Sequence, residues 1–160
     1  MNKIAILVDV QNIYYTTRQA FSRKFNYRAF WSTVTEGREV IAAYAYAIES
    51  RDGGKQFGFQ QILRDIGFEV KLKPYIQRSD GSAKGDWDVG ITLDMVELAE
   101  QVDTVVLASG DGDFDLALQR IRQRFDVTAE VYGVEQLTAG TLIRSATRYV
   151  PIEDDLLMPQ

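Results

Sequence analysis

The chain has 160 residues, about one domain's worth, and 46% of them are hydrophobic, enough for a packed core rather than a disordered segment. It has no cysteine and no histidine, which excludes disulfides, thiolate zinc sites, cysteine nucleophiles, Ser-His-Asp triads and imidazole acid–base pairs. A formal net charge of −5 and a pI of about 4.8 argue against a simple cationic nucleic-acid binder, and less strongly against an enzyme acting on nucleic acid, because an acid cluster that holds a metal itself lowers the pI.

Ile4 to Val8 is a continuous apolar run, as expected of a strand buried on both faces. Ile13, Tyr14, Thr17, Ala20 and Phe21 follow at helical spacing, and Tyr27, Phe30, Trp31 and Val34 repeat it in a shorter helix. Val40 to Ile48 reads as a second strand. Phe59, Ile62, Leu63 and Ile66 mark another helix, and the alternation of Phe68, Val70 and Leu72 suggests a strand near a sheet edge. Gln77 to Gly85 is loop by composition, and a helix is expected from Asp88 to Gln101. Thr104 to Ala108 is a further buried strand, followed by a helical stripe of Phe114, Ala117, Leu118, Ile121 and Phe125. A strand at Val127 to Val134, a short helix at Ala139 to Ala146 and a strand near Tyr149 complete the pattern. Alternating strands and helices predict an α/β sheet covered on both faces. One domain is expected over residues 1–152, with 153–160 as a C-terminal tail that is either loose or docked through Leu156 and Leu157. No apolar run reaches the roughly 18 residues of a membrane span. The short polar start before Ile4 reads as a strand rather than a signal peptide, so a cytoplasmic location without a membrane partner is expected.

In an open parallel sheet, ligands bind beyond the carboxyl ends of the strands, and two buried strands deliver acids there. The first ends in Asp9; the strand at Thr104 to Ala108 runs into Ser109-Gly110-Asp111-Gly112-Asp113. A carboxylate directly after a buried apolar run is costly unless it is paired or metal-bound. Helix capping is the plainer alternative for Asp9 and for Asp113. Asn12, three residues after Asp9, is placed to orient Asp9 or a phosphate. In the helix after Lys84-Gly85, Asp88 lies in line with Ile91, Met95 and Ala99, whereas Asp94 lies with Glu97 and Gln101 on the polar side, at about 100° per residue. Asp88 is therefore the better ligand candidate, with N-capping as its alternative, and Asp86 reads as solvated. Such carboxylates are hard oxygen ligands that suit Mg2+ or Mn2+. Lys84 and Arg78 could contact a phosphate backbone, and Tyr15 could stack on a base; Tyr14 is placed on the core side of its helix.

An apolar strand into Asp9-x-x-Asn12, then Lys84-Gly85 leading to Asp88-x5-Asp94, then Ser109-Gly110-Asp111-Gly112-Asp113-Phe114, resembles the NYN domain, a relative of PIN-domain ribonucleases, and in particular its LabA-like bacterial branch. The resemblance implies a three-layer α/β/α, Rossmann-like (PIN-like) fold with a mostly parallel central sheet. It also implies an acidic pocket for Mg2+ or Mn2+ and endoribonuclease activity, with RNA as substrate. By matching positions, Asp9, Asp88, Asp111 and Asp113 would be the acidic, metal-binding set, with Asn12, Ser109 and Asp94 supporting. One departure is the pair Asp86-Trp87 between Lys84-Gly85 and Asp88, where the family often has a single residue; Asp86 and Asp94 thus remain alternatives to Asp88 as third ligand.

The expected reaction is metal-assisted phosphodiester hydrolysis. The alternative, from a different class, is a non-catalytic RNA- or ligand-binding regulatory protein of the LabA-like type that keeps the same pocket. A phosphatase of the haloacid dehalogenase type would want an aspartate where Gln11 stands, and a Toprim-type site would want a glutamate in place of Asp9. A homodimer through the second strand region with Leu156 and Leu157 is a further expectation.

Overall fold

The computed structural model describes residues 1–49, 54–73, 76–77, 83–84 and 86–160. In chain order the elements are β1 (Asn2–Asp9), α1 (Val10–Phe21), α2 (Tyr27–Thr35), β2 (Arg38–Ile48), α3 (Gly54–Ile66), β3 (Glu69–Lys73), β4 (Ile76–Gln77), β5 (Ala83–Lys84), α4 (Asp88–Ala99), β6 (Thr104–Ala108), a 3-10 turn (Gly112–Phe114), α5 (Asp115–Phe125), β7 (Thr128–Gly133), α6 (Gly140–Ser145) and β8 (Arg148–Pro151). Where a loop was expected at Gln77 to Gly85, Ile76–Gln77 and Ala83–Lys84 pair as a short antiparallel ribbon.

Six strands form the central sheet in the order β3-β2-β1-β6-β7-β8, and each neighbouring pair is parallel. The chain winds outward from β1 to β3, returns to the middle at β6, and winds the other way to β8. The winding direction therefore reverses between β1 and β6, the topological switch point where α/β sheets open a crevice for ligands. Strand alternation assigns the two faces. Ile4, Ile6 and Val8 of β1 pack with Ile13, Phe30 and Leu63 from α1, α2 and α3. Ala5 and Leu7 pack with Ile91, Met95, Leu118 and Leu142 from α4, α5 and α6. The result is three layers, helix on sheet on helix.

Leu156 and Leu157 are buried, so the last residues dock. The Asn26 N–H donates to the Leu156 carbonyl at 2.8 Å, the Met158 N–H donates to the Lys24 carbonyl at 2.8 Å, and Arg23 pairs with Asp154 at 2.7 Å. The features from which a homodimer was expected are thus occupied within the chain: both leucines lie in its own core, and β2 is an inner strand flanked by β1 and β3. No helix among the described residues is long and apolar enough to cross a membrane.

Candidate metal centre

Asp9 ends β1 and Ser109 follows β6, the two neighbours at the switch point. Asp9 continues the parity of Ala5 and Leu7, whose face is covered by α4, and Asp88 is the first residue of α4. Trp87 holds that helix start in place. Its indole N–H donates to the Ala47 carbonyl at the end of β2 at 2.8 Å, its ring packs on Tyr46, and Lys73 donates to the neighbouring Asp86 carbonyl at 2.9 Å. The pair Asp86-Trp87, which departs from the family spacing, therefore anchors α4 to the sheet. The α4 N-cap position falls on Trp87, with no side-chain cap, so Asp88 does not cap the helix.

The loop after β6 folds back on itself through its own side chains. Ser109 Oγ donates to Asp9 Oδ2 at 3.2 Å and accepts from the Asp111 N–H at 3.2 Å. Asn12 Oδ1 accepts from the Gly110 N–H at 2.8 Å. Asp111, not Asp113, does the capping: its carboxylate accepts from the Asp113 N–H at 2.9 Å and starts the 3-10 turn ahead of α5. Gly110 is required by close approach, because a Cβ there would sit 2.9 Å from the Leu137 carbonyl oxygen. Asp9 also accepts from the Asn12 N–H at 3.4 Å, so it caps α1 while it sits in the acid cluster.

These contacts bring carboxylate oxygens of Asp9, Asp88 and Asp111 within 4.8 Å of one another. Like charges so close disfavour ionisation, and burial adds to the effect. Burial pushes the Asp9 carboxyl up to about 6, against the Asn12 and Ser109 hydrogen bonds that hold it down and with the charges of Asp111 and Asp86. Burial, then the charge of Asp111, then hydrogen bonding with Asp113 push Asp88 up to about 7. Asp113 itself is exposed beside Asp88. Among the described residues, the ion pairs leave all four of these aspartates without a lysine or arginine partner. Converging hard oxygen donors with no ion-pair partner among the described residues fit a divalent cation.

Asp94 stands apart from the cluster. Tyr46 Oη and Lys71 Nζ each donate to its Oδ2 at 2.8 Å, so it ties α4 to β2 and β3. Placing Asp94 on a polar face overlooked these partners. Tyr15 is exposed, as expected, but so is Tyr14, at 46%. The buried line of α1 is Val10, Ile13 and Thr17, and the Arg18 guanidinium donates to the Tyr14 hydroxyl. Two exposed tyrosines therefore stand on α1 just beyond Asn12. Arg78 and the side chain of Lys84 lie outside the described residues.

A parallel sheet covered on both faces, with acids gathered at its switch point, defines a PIN-like α/β/α protein. The chain belongs to the NYN domain family, which it matches over residues 3–153, and to the LabA-like branch of that family. It is 29% identical over 164 residues to the Low amplitude and bright protein LabA of Synechococcus elongatus, covering 96% of this chain and 85% of that protein. It is 28% identical over 97 residues to the uncharacterized protein YtfI of Escherichia coli, covering 54% of this chain and 31% of that one. Among solved structures it is similar to a Vibrio parahaemolyticus protein of unknown function, with 59% identity, a TM-score of 0.93 and coverage of 98% of this chain and 96% of the other.

Proposed function

We propose that this protein is a metal-dependent endoribonuclease that hydrolyses RNA phosphodiester bonds at the Asp9–Asp88–Asp111 cluster. The observation that carries this reading is the convergence of the three carboxylates within 4.8 Å at the switch point of the sheet. Membership of a family in the PIN-like nuclease superfamily supports it.

Asp9, Asp88 and Asp111 would hold Mg2+ or Mn2+, with Asp113 at the exposed rim. Such an ion supplies Lewis-acid stabilisation of phosphoryl oxygens and activates water at neutral pH. The chain's own residues do the positioning. Ser109 and Asn12 fix the loop that carries Asp111, and Trp87 and Asp94 fix the helix that carries Asp88. Tyr14 and Tyr15 offer exposed rings on which an unpaired base stacks, which favours single-stranded RNA.

The test is incubation of the purified protein with a pool of short labelled RNAs, with and without Mn2+, beside Asp111→Asn. Metal-dependent cleavage that the variant lacks is the expected result. A second reading is favoured by the net charge of −5: the same pocket binding RNA or a small ligand without turnover. Mn2+-dependent RNA binding with intact RNA recovered would select that reading instead.

A further inference from the structure

We propose that the outer face of α4 and α5 is a homodimer interface, the second copy of this chain packing on it about a two-fold axis that runs along the helices. α4 is apolar on two sides. Ile91, Met95 and Leu98 turn into the core, while Val89, Leu93 and Val96 form an outward stripe, 69%, 64% and 39% exposed. Their spacing of four and then three residues makes them neighbours on one helix face. A helix at a free protein surface carries polar residues on that side. α5 packs beside α4, and it too exposes an aliphatic side chain, Leu116, at 57%. Contiguous exposed aliphatic surface of this kind marks an interaction site.

The charges on the two helices choose the occupant. Beyond the apolar stripe, α4 exposes Glu97 and Glu100; beyond Leu116, α5 exposes Arg120 and Arg124. The ion pairs among the described residues are Arg23–Asp154, Arg38–Glu130, Lys71–Asp94 and Arg148–Glu130, so none of these four charges has an ion-pair partner among the described residues. Both helices are crossovers of a parallel sheet and start at the edge that bears the acids. They therefore run side by side in the same direction.

In a two-fold dimer each patch meets its own copy. With the axis along the helices, α4 of one copy lies on α5 of the other. The valine and leucine ends then meet Leu116, and the acidic second half of α4 meets the arginine-bearing second half of α5, twice over. An axis across the helices would instead stack each helix antiparallel on its own copy, setting the glutamates of α4 on its Val89 end and the arginines of α5 on its Leu116 end, with no charge pairing and with charges placed on apolar surface. The face is thus complementary to itself in one arrangement, and a second copy is the partner it fits.

Sedimentation velocity of the full chain, with neither RNA nor added metal, tests this independently of the nuclease reading. The wild type is expected to be a dimer. Leu93→Glu is expected to raise the dimer dissociation constant by roughly thirtyfold or more with an unchanged circular dichroism spectrum. Glu97→Arg and Arg124→Glu should each weaken the dimer, and the double exchange should restore it. Should Leu93→Glu fail to fold, the charge-exchange set carries the test. A wild type that stays monomeric at its highest soluble concentration, or a double exchange no tighter than its single variants, would overturn the proposal.

Discussion

The Ser109 hydroxyl donates to the Asp9 carboxylate at 3.2 Å, joining the ends of two adjacent strands that are 100 residues apart in sequence. The same oxygen accepts the Asp111 N–H, so one side chain serves two of the three clustered acids. Ser109→Ala removes both bonds and leaves a buried carboxylate short of a donor. A loss of about 1–3 kcal/mol is expected, with the Asp9 carboxyl moved further up because the Ser109 bond holds it down. Urea unfolding and a carboxyl NMR titration read the two effects; an unchanged Asp9 titration would contradict the assignment.

Asn12 and Gly110 form a second tie, and each side of it can be broken separately. Asn12→Ala leaves the Gly110 N–H without its 2.8 Å acceptor, at an expected cost of about 1 kcal/mol. Gly110→Ala places a Cβ against the Leu137 carbonyl and Thr138, and overpacking against backbone is expected to cost about 1–3 kcal/mol. Denaturant midpoints measure both. Equal stability of Gly110→Ala and wild type would mean that the loop does not need this close approach.

Protons and the cation compete for the same carboxylates. Asp9 and Asp88 bind protons more tightly in the folded chain, with values raised from an ordinary 3.8 to about 6 and about 7. Their contribution to stability is therefore complete below about 3.8 and is lost as pH rises through about 6 and 7. In chelator, stability is expected to fall from pH 5 to pH 8 by more in wild type than in Asp9→Asn, and Mn2+ should restore it at pH 8. Identical pH slopes for the two proteins would exclude this origin.

Asp94 acts on α4 rather than on the cation. Lys71→Met removes one of its two donors, and because the pair is partly exposed a loss of about 1 kcal/mol is expected. Its effect on Mn2+ affinity should be small beside that of Asp88→Asn. Calorimetric titration distinguishes them; equal losses of affinity would place Asp94 at the cation itself.

The order of strands and helices was legible because each buried strand is a short apolar run and each helix carries its own periodic stripe. Asp9 and the Ser109 to Asp113 loop stood out for the same reason, as polar residues at the ends of β1 and β6. What local pattern does not carry is the partner across the fold. Asp94 shares a helix face with Glu97 in sequence, but Tyr46 and Lys71 reach it from β2 and β3. Tyr14 has the spacing of a core residue, yet Val10 and Thr17 take the buried line of α1. Asp111 rather than Asp113 caps the turn because Gly112–Phe114 adopts a 3-10 helix before α5 begins. The exposed stripe Val89, Leu93 and Val96 was hidden in an apolar helix whose buried side is Ile91, Met95 and Leu98.

The claim on which the rest depends is that Asp9, Asp88 and Asp111 together bind one divalent cation site. Isothermal titration of Mn2+ into the chelator-treated wild type and into Asp9→Asn, Asp88→Asn and Asp111→Asn tests it directly. The expected result is saturable binding by the wild type that all three variants lose or weaken by at least about tenfold, while their circular dichroism spectra stay unchanged. Binding of equal strength in wild type and in all three folded variants would show that the converging carboxylates are not the cation's ligands.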